Sequence, residues 1–162
     1  MAKQIIPFDF FVSSAGAEHT EFINQINEYM KENNSRTEIK EAASGYVVSY
    51  IYEPSSKTVA NYVFRKKGPM IRIYADHVPQ YMDILGKWPK SMKDSIKKAG
   101  SCKRLLDPEA CNPRCPMGFD FILDGERQQK CRNNSSMFFL STETKPYLKE
   151  MIEHELKARK SV

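Results

Sequence analysis

Three runs of alternating residues follow one another in this chain with almost nothing between them. From Gly45 to Glu53 the side chains alternate, with Tyr46, Val48, Tyr50 and Tyr52 on one face and Val47, Ser49 and Ile51 on the other. That period of two belongs to a strand. Lys57 to Arg65 and Pro69 to Ala75 continue in the same manner, joined only by Pro54-Ser55-Ser56 and Lys66-Lys67-Gly68. A crossover between parallel strands needs roughly a dozen residues, so joins this short make the runs antiparallel neighbours. A meander is expected, and a βαβ arrangement is excluded for this stretch.

Helical patterns frame the meander. Glu18 to Glu32 repeats Phe22, Ile23, Ile26, Tyr29 and Met30 along one side, and Asn33-Asn34-Ser35 ends it. After the strands, helix is expected from about Val78 to Leu85 and from about Pro89 to Ala99. In the second of these Pro89 suits the first turn, Met92, Ile96 and Ala99 form the buried side, and Gly100 suits a C′ position. A short strand is expected at about Met137 to Leu140. A closing helix from Lys145 to Lys160 carries the stripe Leu148, Met151, Ile152 and Leu156, with Thr144 as its expected N-cap and Lys157, Arg159 and Lys160 at its end. With no repeat and no linker-like tract, the expectation is one α+β domain over residues 1–162: an antiparallel meander sheet flanked by amphipathic N- and C-terminal helices, with a cysteine-bearing hairpin.

The hairpin is announced by Asp124-Gly125, which stands between Phe119-Asp120-Phe121-Ile122-Leu123 and Glu126 to Lys130. Both central residues of a type I′ turn need positive φ, and Asp-Gly supplies it at low cost. A turn there pairs Leu123 with Glu126 and, further back, Gly118 with Cys131. It returns Cys131 toward Cys111 and Cys115, with Cys102 shortly before them in a subregion of about 100–132. Three readings stay open. Cys102, Cys111, Cys115 and Cys131 as four thiolates would complete a tetrahedral zinc site. The same residues as reduced thiols would simply pack in the core. Thirdly, they would serve as a regulated or catalytic dithiol, helped by the cations Arg114, Lys130 and Arg132 beside Cys115 and Cys131.

At 162 residues, 41% hydrophobic and 28% charged, the chain is long enough to bury a core without staples. It has no apolar run near the ~18 residues that cross a membrane, and Pro7 and Asp9 come too early for a secretory signal. A cytoplasmic location is expected, where thiols stay reduced. The formal charge of +5 is concentrated between Lys87 and Arg104, where seven cations face the single acid Asp94. Lys90, Lys93 and Lys97 share one helix face there. Such a face attracts phosphates, nucleic acid included, but a solvated surface is the simpler reading and the one preferred.

Tyr46, Tyr50 and Tyr52, extended across strands by Tyr62 and Tyr74, offer an aromatic floor for a flat ligand, against the plainer reading of helix-on-sheet packing. His19, His77 and His154 lie far apart with no ligand spacing. His77 follows Asp76 at a strand end, where it could help a site, but a plain surface or strand-end histidine is the preferred reading. No phosphate loop, nucleophile elbow or paired-carboxylate motif is present.

The runs Gly45 to Tyr50, Val59 to Phe64 and Met70 to Tyr74, framed by a leading and a closing amphipathic helix, resemble small uncharacterised bacterial α+β proteins of the domain-of-unknown-function type. Some of these add a cysteine-bearing hairpin like Cys115 to Cys131. The resemblance implies a helix-flanked antiparallel sheet and carries no functional residue across. The functional expectation is a non-enzymatic ligand-binding or regulatory domain for an unknown small molecule or protein, with zinc as the one cofactor considered. The alternative is a thiol-redox or small-molecule-modifying enzyme using the cysteines.

Overall fold

The computed structural model describes residues 7–43 and 45–161. In chain order the elements are α1 (Phe8–Ala15), α2 (Thr20–Glu32), β1 (Ser35–Ala42), β2 (Gly45–Tyr52), β3 (Lys57–Arg65), β4 (Gly68–Ile73), α3 (Met82–Leu85), α4 (Lys90–Lys98), α5 (Lys103–Leu106), β5 (Phe119–Leu123), β6 (Glu126–Lys130), β7 (Met137–Phe139) and α6 (Lys145–Lys160). Short 3-10 turns precede α2 and α3, at Ala17–His19 and Val78–Gln80. The α+β class is as expected, with a five-stranded antiparallel sheet in the order β1-β2-β3-β4-β7 and a separate two-stranded sheet of β5 and β6.

Two compact units make up the chain, where the sequence suggests one. The first is Met1–Ile73 with Phe138–Lys149, the second Tyr74–Met137 with Glu150–Val162. No linker marks the division because one boundary falls inside α6 and another inside β7. A division within continuous elements leaves no proline- or glycine-rich signature to read.

In the first unit, β2 and β3 pair from Val47 with Val63 to Tyr52 with Lys57, and a register shift between Tyr50 and Ile51 inserts one extra residue on β3. Val48, Tyr50, Tyr62, Ile71 and Ile73 are fully buried, as are Phe11 of α1 and Ile23, Ile26 and Met30 of α2. Two elements here were not expected. The sequence Phe8-Asp9-Phe10-Phe11-Val12 has no clean helical stripe, since α1 buries Phe11 and leaves Phe10 exposed. β1 is an edge strand of mostly exposed polar residues, and the charges of Arg36, Glu38, Lys40 and Glu41 hide its period while guarding the edge.

At two helix ends the hydrogen bonding differs from expectation. Gly100 is not in the left-handed region; α4 stops because Ala99 is extended, and Lys130 Nζ donates to the carbonyls of Lys97 and Ala99 at 2.7 and 3.0 Å. A lysine thus satisfies orphan carbonyls that a left-handed glycine otherwise serves. At α6, Thr144 turns its hydroxyl back. Its Oγ1 accepts the Ser141 N–H at 3.0 Å and donates to the Phe139 carbonyl at 2.8 Å, while Ser141 Oγ accepts the Thr144 N–H at 3.2 Å. That exchange has the reciprocal form of a capping box across the turn before the helix, while Thr144 itself stands at the N-cap position, its carbonyl accepting the Leu148 N–H at 3.0 Å.

Candidate functional site

Asp124 and Gly125 have φ of 52° and 79°, as a type I′ turn requires, and β5 pairs with β6 from Leu123 with Glu126 to Phe119 with Lys130. Continuing that register sets Gly118 against Cys131. A further bridge joins Ser101 to Lys130, with Cys102 N–H donating to the Gln129 carbonyl and Cys131 N–H to the Gly100 carbonyl, both at 2.9 Å. Cys102 and Cys131 therefore flank one bridged pair and face the same side of it, because alternate residues of a strand share a face. Gly118 completes this group by donating its N–H to Cys102 Sγ at 3.2 Å.

The other two cysteines sit in the loop before β5. Arg104 holds that loop by donating to the carbonyls of Pro108 and Cys115, and Cys115 N–H closes a turn onto the Asn112 carbonyl at 3.1 Å. Cys102 is buried, Cys115 and Cys131 are half-buried, Cys111 is exposed, and none forms a disulfide. Among the described residues no group of three or more His, Cys, Asp or Glu side chains stands close enough to hold a metal ion. The hairpin thus gathers Cys102 and Cys131, and the four sulfurs do not form one shell.

The lysines of α4 face carboxylates. Asp124 of the hairpin turn accepts from Lys93 and Lys97, each at 3.1 Å to one oxygen, and Lys90 pairs with Asp94 at 2.7 Å. These lysines hold the Asp94 and Asp124 carboxyls below the usual carboxylate range, chiefly by hydrogen bonds. The face is half neutralised internally, and Lys93 is largely covered.

The tyrosines do not form one open floor. Tyr50 and Tyr62 are fully buried in edge-on contact, Phe11 covers Tyr62 at 5.0 Å between centroids, Tyr46 meets Phe64 at 6.4 Å, and Tyr52 is buried. Helix-on-sheet packing accounts for them. Tyr74 belongs to the other unit, where the Arg132 guanidinium lies 5.0 Å above its ring centre.

That contact opens onto a polar network built wholly within the second unit. Glu155 of α6 is fully buried and accepts four hydrogen bonds. Its Oε1 takes His77 N–H at 3.0 Å and the Tyr81 hydroxyl at 2.7 Å; its Oε2 lies 2.8 Å from His77 Nδ1 and takes Arg159 Nε at 2.7 Å. A carboxylate is acceptor-only, so His77 presents Nδ1–H inward and keeps its Nε2 lone pair outward when neutral. Arg159 also reaches the Tyr74 carbonyl at 3.0 Å and Asp76 at 3.3 Å, and Asp76 accepts from Arg132 Nη1 at 2.7 Å on its other oxygen. Burial, then the Glu155 carboxylate, pushes the Tyr81 phenol well up, so it remains a donor.

A buried carboxylate with every lone pair used is a rigid support, because removing any partner would strand charge in a dry place. The groups it supports reach the surface. The His77 side chain is 25% exposed, Asp76 23% and Arg132 13%. Neither Arg132 Nε nor Nη2 donates to an acceptor among the described residues, since both Asp76 and the Met117 carbonyl take Nη1. Sequence reasoning saw His77 beside Asp76 but not Glu155, which lies 78 residues away. The signal was available only as a glutamate on the apolar side of α6, one position before Leu156.

No family model, no curated protein and no solved structure matches this chain. No helix among the described residues is long and apolar enough to cross a membrane.

Proposed function

We propose that the protein is a ligand-binding domain whose recognition site is the surface of the second unit formed by His77, Asp76 and Arg132. The observation that carries this reading is a fully buried, fully satisfied Glu155 that holds His77 directly and, through Arg159, the Asp76–Arg132 pair, all three side chains being partly exposed. Binding sites hold a few polar groups in fixed directions beside aromatic surface, so that little ordering remains to be done when the ligand arrives. Tyr74 supplies that aromatic surface, its ring centre 5.0 Å from the Arg132 guanidinium, while the buried Phe119 ring lies 5.8 Å from the same group.

The test is a small-molecule panel of mixed charge, followed by amide shift mapping on the labelled full chain. Ligands should move resonances of Tyr74 to His77 and of Cys131 to Asn133 first. A panel whose hits all map to the five-stranded sheet, or which yields no hit, would overturn the assignment.

A further inference from the structure

Resting on that reading, we infer that the ligand carries a carboxylate or phosphate group, and that His77 takes up a proton when the group binds. The anion class follows from Arg132. Its Nη1 is committed to Asp76 and the Met117 carbonyl, and its ring contacts fix the plane of the guanidinium. The remaining edge, Nε with Nη2, is a two-donor fork spaced for two oxygens of one planar or tetrahedral oxyanion. A guanidinium cannot give up its proton, so this edge can only donate.

Proton uptake follows from charge. Arg132 and Arg159 are balanced by Asp76 and Glu155, so with a neutral imidazole the cluster has no net charge to offer an anion. His77 supplies it. Its Nδ1–H already points to Glu155 Oε2, so a proton added at Nε2 is exposed toward the ligand, while the imidazolium keeps a carboxylate behind it at 2.8 Å. The other charged or titratable neighbours do not compete for that role. Arg159 is bound to Glu155 and Asp76, Tyr81 donates to Glu155, and His154 stacks on Tyr81 at 5.9 Å. Asp120 of β5, the strand that packs against the Val78–Gln80 turn, is engaged by Arg127.

Binding and protonation are then linked in both directions: the anion binds the protonated form more tightly, so affinity rises as His77 takes up its proton, and the anion stabilises the imidazolium. The probe is inorganic phosphate, with acetate as the carboxylate arm and chloride at matched ionic strength as control. The His77 Cε1–H resonance of the full chain, titrated with pH, should move its midpoint upward by about half a unit at saturating phosphate or acetate, equivalent to a roughly threefold preference for the protonated form. Chloride should leave it in place. Arg132→Lys, which keeps the charge and loses the fork, should weaken anion binding about tenfold. His77→Asn keeps an amide N–H on Cγ, where Nδ1–H faced Glu155, and should bind acetate, which stays ionised throughout, with an affinity nearly independent of pH between about 6 and 8.

Midpoints that do not respond to either anion would overturn the inference, as would an equal response in Arg132→Lys. Should neutral or cationic compounds bind at Tyr74 to His77 while phosphate and acetate do not, the ligand-binding reading stands and the anion inference falls. If nothing binds there, both fall.

Discussion

Gly118 donates its backbone N–H to the sulfur of Cys102 at 3.2 Å, and its own Cα lies so close to the neighbouring strand that a Cβ would stand 2.0 Å from the Lys130 carbonyl oxygen. The contact is with backbone, so no rotamer change relieves it. The same Cβ would come within 2.8 Å of Cys102 Cβ. Gly118→Ala should therefore part β5 from β6 at their base, at a cost of roughly 1–3 kcal/mol, in the range of overpacked cores. Urea unfolding measures this directly. A loss under about 0.5 kcal/mol would mean that the Gly118–Lys130 approach is loose enough to admit a methyl group.

Asp124 serves the hairpin twice, as a turn residue with φ of 52° and as the partner of Lys93 and Lys97. The two lysines depress its carboxyl, so the linked stability is present above the unfolded carboxyl range near pH 3.9 and is lost as pH falls through the lower folded value. Asp124→Asn keeps a residue that tolerates the left-handed region and removes the charge. Its acid unfolding curve should lie below that of the wild type at neutral pH and converge with it at pH 2 to 3. Parallel curves over the whole range would show that the ion pairs contribute nothing.

The same pairs bear on nucleic acid. Reversing Lys90, Lys93 and Lys97 to glutamate would remove a phosphate-binding face if one exists, but two of these lysines already share Asp124 and the third holds Asp94. The wild type should show no retardation by single- or double-stranded nucleic acid at 50 mM salt, the condition most favourable to it. Binding at low salt that falls steeply with added salt would restore the basic-face reading.

What was legible in the chain depended on whether the signal was local. The bounds Lys57 to Arg65 and Lys145 to Lys160 are found as expected, because strand alternation and a capped amphipathic stripe each declare themselves within a few residues. The hairpin register follows from two residues, Asp124 and Gly125. β1 was hidden by its charges, and α1 by aromatic residues on both its sides. Glu155 and His77 meet only through the fold, and no spacing rule reaches across the strands and helices between them. The cysteines lay between these cases: the hairpin brought Cys131 to the register expected of it, while the distance of Cys111 and Cys115 from that pair depended on an irregular loop.

Thiol reactivity separates the three cysteine readings. With Cys111 exposed, Cys115 and Cys131 half-buried and Cys102 buried, a disulfide-forming thiol reagent should modify one site quickly, two more slowly, and the fourth only on unfolding. Alanine at each cysteine in turn assigns the phases. Four protected thiols together with one zinc per chain, in protein purified without chelator and destabilised by chelator, would instead place all four sulfurs around a metal. A fast phase traced to two cysteines that close a disulfide with glutathione disulfide would favour the dithiol.

Tyr50 and Tyr62 meet in the core of the first unit. Both side chains are fully buried, and neither hydroxyl has a hydrogen-bond partner of good geometry among the described residues. Burial pushes both phenols upward, so each remains neutral and each hydroxyl has been taken out of water without full replacement. An unsatisfied buried hydroxyl costs about 1–3 kcal/mol, whereas removing both members of a poorly bonded pair while keeping the rings leaves the packing intact. The rings matter more, since Phe11 lies 5.0 Å from Tyr62 and Tyr50 meets Tyr62 edge-on at 5.8 Å. The double variant Tyr50→Phe with Tyr62→Phe should therefore unfold at the wild-type urea midpoint or above it. Tyr62→Leu should cost about 1–3 kcal/mol through lost ring contacts. If the double phenylalanine variant instead loses more than about 1 kcal/mol, the hydroxyls satisfy each other in solution and the pair is a specific core hydrogen bond. A double-mutant cycle on the two single phenylalanine variants would then give its coupling directly.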